Sequence, residues 1–333
     1  MAIIGMGNAL TDILVQIPDE TILHDLGVER GGMYLIDNKQ HHRLMERIAS
    51  LPRKLAAGGS AANMVAGAAM LGSRSAFIGH VGRDATGEAF CRCQQAKGVE
   101  SLVGVSEGTP SGKCISLILP DGERTMLTYL GAALEVDTRH LASRYLQGRE
   151  VFFVEGYLLN SPDVIEPAMR AAREAGLLVA LDAASFTVIR EFRQFADRLI
   201  DRYVDLLFAN EDEAAALTDT DVPKQALEQL AGRCGTVVVK VGPEGSWIAR
   251  GSERCRIGII EAHPVDKTGA GDLYAAAFLH GWTRGLSLRQ CGELGAVVSS
   301  KSIEVIGADL PAETWAGIRP WVERIEAGER VVG

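Results

Sequence analysis

The chain has 333 residues, 47% of them hydrophobic and 23% charged, with a formal net charge of −9. That is a globular composition, large enough for one big α/β domain with an appendage or for two domains. The acidic balance speaks against the concentrated basic face that nucleic acid requires, although a few N–H groups and cations would still suffice to handle phosphate. No apolar run reaches the roughly 18 to 20 residues of a membrane helix, and the opening "MAIIGMGNALTD" lacks a basic leader region, so neither a membrane nor a nucleic-acid partner is expected. The six cysteines (Cys91, Cys93, Cys114, Cys234, Cys255 and Cys291) form no CxxC pair and have no neighbouring His. They read as reduced structural thiols in a cytoplasmic setting.

In chain order, "AIIGMG" (2–7) is a buried strand, and "GGMYLIDNK" (31–39) is an extended run that, like 111–131 below, breaks the strand–helix rhythm. "AAGGSAANMVAGAAMLG" (56–72) then starts a helix of very small residues. Gly58 and Gly59 let backbone approach a ligand, Ser60 is a candidate cap, and Asn63 offers both donor and acceptor in the first turn. Taken alone, Asn63 could equally be a solvated residue at a close-packed helix start. After the strand "SAFIGHVG" (75–82) comes a helix carrying Cys91 and Cys93, then a hairpin, "SGKCISLILPDGERTMLTYLG" (111–131), turning at "PDGE" (120–123).

Four further strands follow, "VFFVEGYLL" (151–159), "LLVALDAA" (177–184), "VDLLFAN" (204–210) and "TVVVKVG" (236–242). The helix between the first two has Ser161 as N-cap, Pro162 in its first turn and Gly176 at its end. Strands alternating with helices predict βαβ units and a mostly parallel, buried sheet. The extended pieces at 31–39 and 111–131 predict a small separate sheet, read as a lid over a cleft beyond the strand ends.

Two glycine-rich stretches are decoys. "GMGNALTD" has Leu10 where a dinucleotide fingerprint needs its third glycine, and "GTPSGKC" has the wrong spacing for a P-loop and Cys114 in place of the Mg²⁺-binding hydroxyl. "FANEDEAAAL" (208–217) puts Asn210 and Glu213 at a strand's C-terminal end, where water-mediated Mg²⁺ binding is one reading and simple helix-dipole complementarity the stronger one for the segment by itself. "DKTGAGD" (266–272) carries most chemistry. Gly269 and Gly271 let successive N–H groups converge at a helix's positive end, an anion hole. Asp272 in the same turn should stay ionised and is placed to take a proton from an attacking hydroxyl if the anion is a transferring phosphoryl group.

Gly58-Gly59 with Asn63, Asn210 with Glu213, and "GAGD" at 269–272 together resemble the ribokinase-like family of carbohydrate and nucleoside kinases, over nearly the whole chain. The resemblance implies a three-layer αβα domain with a mostly parallel sheet (residues 1–11, 38–107 and 134–333) and a small β-sheet lid (12–37 and 108–133). It implies ATP as donor, Mg²⁺, and transfer to a primary hydroxyl. Asp272 would be the general base, with Gly269, Ala270 and Gly271 as the anion hole and Arg124 approaching the phosphates from the lid. Asn8, Asp12, Gly58, Gly59 and Asn63 would meet the acceptor, Asp12 through a bidentate hold on a vicinal diol. Asn210, Lys240, Gly242 and Gly245 would meet the nucleotide, and Glu213 would bind Mg²⁺ through water. Asp266 and Thr268 resemble a monovalent-cation loop for an ion such as K⁺, but Lys267 stands where a smaller residue is common, and its ammonium could replace that ion.

The spacing of Asn8 and Asp12 and the "GGMYLID" stretch are similar to the adenosine-kinase-like branch. Met33, Tyr34, Leu35, Met126 and Tyr129 on the lid would suit a purine better than a bare sugar. A free sugar such as ribose is the alternative acceptor, and a catalytically silent binding homologue a third reading. The chain is expected as a monomer or a homodimer, the latter through an uncovered lid edge.

Overall fold

The computed structural model describes residues 2–136, 141 and 143–332. Its strands are β1 (Ala2–Met6), β2 (Leu10–Gln16), β3 (Met33–Leu35), β4 (Arg53–Gly58), β5 (Arg74–Gly82), β6 (Val99–Ser106), β7 (Gly112–Ile118), β8 (Arg124–Tyr129), β9 (Val151–Glu155), β10 (Leu178–Asp182), β11 (Leu206–Asn210), β12 (Thr236–Lys240), β13 (Ser246–Arg250) and β14 (Glu253–Ile257). A nine-stranded sheet has the order β14-β13-β12-β11-β10-β9-β1-β5-β6. It is parallel from β12 through to β6, and β13 and β14 add an antiparallel hairpin at one edge.

Both faces of the central strands are buried, which is why β1, β9, β11 and β12 are apolar without alternation. Ile3, Phe77 and Phe153 enter one core, against the helices Ser60–Met70, Ala270–Thr283 and Leu288–Ser302. Their chain neighbours Ile4, Ile78 and Phe152 enter the other, against Pro162–Glu174, Arg193–Tyr203 and Pro223–Ala231. Successive side chains of a strand point to opposite faces, so three layers follow directly. The expected three-layer α/β fold is what the chain forms. No helix among the described residues is long and apolar enough to cross a membrane.

The second sheet has five strands in the order β3-β8-β7-β2-β4. One face packs Ile13, Val15, Ile115, Leu117 and Leu127 under Leu23 and Leu44 of the helices Thr21–Leu26 and Asn38–Arg47. The opposite face carries Asp12, Cys114, Ser116, Met126 and Thr128 into the cleft. This small sheet is the expected lid, with wider limits than 12–37 and 108–133. β2 begins at Leu10, and β4, expected in the large domain, pairs antiparallel with β2. Residues 38–58 therefore sit with the lid, which the irregular "RKLAAG" pattern does not announce.

Smaller corrections have local causes. "GGMYLIDNK" is extended only at Met33–Leu35, because Asp37 and Gln40 form a reciprocal capping box that starts a helix at Asn38. "VFFVEGYLL" leaves the sheet after Glu155 and turns as a 3-10 helix. Ser161 holds the N-cap position, but its hydroxyl donates to Asn160 Oδ1 at 3.1 Å instead of capping.

The helix Ser60–Met70 needs its small residues. A Cβ on Gly67 would lie 2.5 Å from Leu273 Cδ2 and 3.0 Å from Ala276 Cβ of the helix Ala270–Thr283. Gly67→Val should therefore destabilise the fold by about 1–3 kcal/mol through overpacking. Gly317→Ala, in the helix Ala312–Glu326 with open space around it, should be neutral or stabilise by up to about 1 kcal/mol. Urea denaturation midpoints of the two variants provide the check.

Candidate active site

The Gly269 turn opens the helix Ala270–Thr283, with Gly269 itself at the N-cap in the left-handed region (φ 74°). A Cβ there would strike Ala308, and one on Gly271 would sit 2.9 Å from Lys240 Nζ. Glycine is thus required at 269 by backbone and contact alike, while at 271 it lets a buried ammonium lie against the helix start. Of the three residues expected to form the anion hole, Ala270 turns its N–H back to Lys267 O at 3.2 Å. The helix end and the adjacent Lys240 remain as the positive features of the turn.

Asp272 lies in the first turn of that helix and lines the same cleft. Asn63 Nδ2 donates to its Oδ2 at 2.9 Å, and Ser60 Oγ donates to its Oδ1 at 2.8 Å. Ser60 was expected to cap its own helix; that position belongs to Gly59, and the hydroxyl serves Asp272 instead. Burial raises the Asp272 pKa and Asp182 adds to the rise, while Asn63, Ser60 and Arg124 pull the other way.

The Gly58-Gly59 pair lets two chain segments cross. A Cβ on Gly58 would land in the Asp12 carboxylate, and one on Gly59 (φ 98°) in the Asn8 carbonyl oxygen. Asp12 is buried and pushed up to about 7, first by desolvation, with Asp272 and Asp266 adding and Arg124 opposing. Asn8 does not offer a free amide: its N and Nδ2 both donate to Glu155 Oε1, at 2.8 and 2.9 Å, and Ala61 N donates to Glu155 Oε2 at 2.8 Å. Burial pushes the Glu155 carboxyl up to about 7 against the pull of these donors.

Across the cleft, Lys240 Nζ sits 3.2 Å from Asp182 Oδ2. Burial disfavours this ammonium, but Asp182, Glu213 and Asp272 together hold its pKa above the ordinary value. Asn210 and Glu213 form a capping box: Glu213 N donates to Asn210 Oδ1, and Asn210 N and Nδ2 donate back to the carboxylate at 2.8 and 2.9 Å. Desolvation, then Asp182, pushes Glu213 up to about 7. Gly242 and Gly245 make the tight turn between β12 and β13, both with positive φ. Arg124 reaches from the lid to donate through Nη1 to Lys267 O at 3.1 Å, and its buried Nε has no hydrogen-bond partner.

These groups line one cavity of about 910 Å³ that runs from the lid to the β12–β13 turn. Asn8, Asp12, Gly59, Asn63, Arg124, Asn210, Glu213, Lys240, Gly242, Gly245 and the run Thr268 to Asp272 all face it. Gly58 supports the wall from behind. Asp266 is fully buried outside the lining.

A family model described as "pfkB family carbohydrate kinase" matches residues 33–315. The chain belongs to that family. It is 35% identical to the adenosine kinase of Sinorhizobium meliloti, whose crystal structure superposes with a TM-score of 0.91 over 96% of this chain and 98% of that one. A probable sugar kinase from Rhizobium etli is 31% identical, with a TM-score of 0.90 over the same shares of the two chains. The adenosine kinase of Saccharomyces cerevisiae is 28% identical over 93% of this chain and 97% of its own length. This pfkB-family enzyme is a phosphotransferase with an alcohol acceptor.

Some lid expectations need correction. Met33 and Met126 face the cavity, joined by Leu10, Leu130 and Phe186. Tyr34 bends away, its hydroxyl accepting from Glu29 N at 2.7 Å; Leu35 is 51% exposed; and Tyr129 packs beside His41. Strand alternation turns Tyr34 out when Met33 points in. The sequence reading also missed Glu155, Asp182 and Phe186. The available signal was position, since Glu155 and Asp182 end buried parallel strands on the side where α/β sheets bind ligands.

The loop expected to hold a monovalent cation is closed by protein donors. Asp266 Oδ1 accepts from Thr268 N and Oγ1 at 2.8 and 2.6 Å, and Oδ2 accepts from Gly307 N at 2.7 Å. Nor does the Lys267 ammonium occupy a cation position; it extends to Glu123 Oε2 at 3.2 Å on the lid. Among the described residues, no three His, Cys, Asp or Glu side chains are grouped to hold a metal. One buried carboxylate, Glu213, fits an ion such as Mg²⁺ that keeps most of its water and is carried by phosphate.

Proposed function

We propose that this enzyme transfers the γ-phosphoryl group of ATP to the 5′-hydroxyl of adenosine. The observation that carries the reading is the placement of the Asp272 carboxylate in the Gly269 turn, clamped by Ser60 and Asn63 and facing the same cavity as Lys240 and Arg124. Asp272 takes the proton of the acceptor hydroxyl as its oxygen bonds to the γ-phosphorus. The bond from that phosphorus to the β-bridging oxygen breaks, and ADP leaves with the electron pair. The helix N-terminus, Lys240 and the unpartnered Arg124 Nε face the negative charge that spreads over the transferring group. Mg²⁺ accompanying the nucleotide would be held by Glu213 through water and would neutralise phosphate oxygens. We read Asp266 and Thr268 as a structural clasp on the Gly307 turn rather than as cation ligands.

On the acceptor side, Asp12 is the group suited to a ribose diol, held upright by the Gly58-Gly59 crossing. Leu10, Met33, Met126, Leu130 and Phe186 supply an apolar bed for a base. The named adenosine kinases among the relatives favour the same acceptor. A free-sugar acceptor has one observation in its favour, the 31% identity to the Rhizobium etli protein titled a probable sugar kinase. A bare sugar, however, would leave the apolar bed uncovered.

Asp272→Asn should lower kcat by at least ~10²-fold while leaving the affinity for ATP nearly unchanged, as removal of a general base does. Steady-state rates and nucleotide titration measure both, and near-normal turnover would remove Asp272 from the chemistry. Because burial has moved Asp12 to about 7, the acid limb of kcat/KM should fall near that pH: Asp12 must be ionised to accept from the diol, so activity rises with pH through this region and is lost below it. A pH profile in which Asp12→Asn keeps the same acid limb would contradict this. In a panel followed by ADP release, adenosine should show a higher kcat/KM than ribose or fructose; a sugar in the lead would establish the alternative.

A further inference from the structure

The lid and the Gly269 loop meet at one residue, Lys267. The lid hairpin turns at Gly122, which has φ +80°. This turn meets the Gly269 loop at Lys267 in three ways. Lys267 N donates to Gly122 O at 3.2 Å, Arg124 Nη1 donates to Lys267 O at 3.1 Å, and Lys267 Nζ pairs with Glu123 Oε2 at 3.2 Å. The Lys267 carbonyl that Arg124 holds also accepts from Ala270 N at 3.2 Å, in the first turn of the Asp272 helix. On its other side, Lys267 abuts the buried Asp266 clasp, which ties the loop to Gly307. One residue is thus gripped by the lid and by the anion-binding turn at once.

We infer that Lys267 is a positioning residue that couples the lid to the Gly269 turn through its ion pair with Glu123, so that an acceptor under the lid and a phosphate in the turn strengthen each other's binding. This rests on the nucleoside-kinase reading above. The ion pair is the adjustable part of the joint. Lys267 is 43% and Glu123 30% exposed, so the pair is screened by salt and contributes a modest factor, while the two backbone contacts survive truncation of the side chain. Coupling of this kind is reciprocal: whatever factor adenosine adds to nucleotide affinity, the nucleotide adds to adenosine affinity.

The test is calorimetric titration of the full chain with a non-hydrolysable ATP analogue, with and without adenosine, at low and high NaCl. In the wild type, adenosine should tighten analogue binding by about fivefold or more. Lys267→Ala and Glu123→Gln should each reduce that factor by roughly twofold to fivefold, the double variant no further, and the charge swap Lys267→Glu with Glu123→Lys should restore it. High salt should lower the factor in the wild type and leave it unchanged in Lys267→Ala. A factor that is the same in Lys267→Ala as in the wild type, or that is absent from a wild type binding both ligands, overturns the inference alone. A wild type that binds neither ligand overturns the functional reading as well.

Discussion

The site depends on how closely two helices of small residues pack. Ser60–Met70 and Ala270–Thr283 lie against each other at Gly67, where Leu273 and Ala276 leave no room for a Cβ. That closeness brings the first turn of one helix under the first turn of the other, so that Ser60 and Asn63 donate to both oxygens of Asp272. A larger residue along the seam would push the helix starts apart, and a carboxylate with two well-placed donors would become a loose one. Packing of apolar groups thus sets the geometry of a polar one. The general-base role proposed for Asp272 would depend on such fixed placement, because proton transfer requires hydrogen-bond reach before any tuning of pKa matters.

Charge in the cleft follows from burial. Asp12, Glu155 and Glu213 are all pushed up to about 7, and in each case desolvation leads. Burial disfavours both cations of the cleft, but Asp182, Glu213 and Asp272 hold Lys240 charged, and Tyr157, Asp272, Asp266 and Glu123 do the same for Arg124. Two positive charges therefore face a cavity in which three of the carboxyls, Asp12, Glu155 and Glu213, are held near neutrality. On the proposed reading such an arrangement would respond to its ligands: a hydroxyl donating to Asp12 would favour its ionised form, and a phosphate drawing on Lys240 would loosen its hold on Asp182.

Features that rest on local backbone demands were legible in the sequence. Gly269 and Gly271 before Asp272 could be read because a tight turn at a helix start keeps its glycines within three residues, and Asn210 with Glu213 because a capping box spans four residues. The parallel sheet was legible for the same kind of reason, in runs of Val, Ile, Leu and Phe closed by glycine. What escaped depends on partners far away in the chain. Ser60 looked like a cap because Asp272 is 212 positions off, and Glu155 passed unremarked inside the run 151–159 because Asn8 lies 147 positions before it. β4 escaped because an edge strand that lies largely exposed has no apolar alternation to show. Tyr34 and Leu35 were assigned to the cavity with Met33, as composition suggested, until strand parity and the strand's end turned them outward.

Lys267 illustrates why a residue that breaks a motif is more informative in three dimensions than in one. In the sequence its ammonium stood beside Asp266 and Thr268, and the nearest inference was competition with an ion there. In the fold, Asp266 has already spent its oxygens on Thr268 and Gly307, so an ammonium would find little to pair with at that point. The chain instead sends the charge outward, across 144 positions of sequence, to Glu123 on the lid. With Asp266 engaged by N–H and O–H donors, the neighbouring side chain is left to pair elsewhere. Because that side chain is partly exposed, its ion pair with Glu123 costs little to hold and little to release.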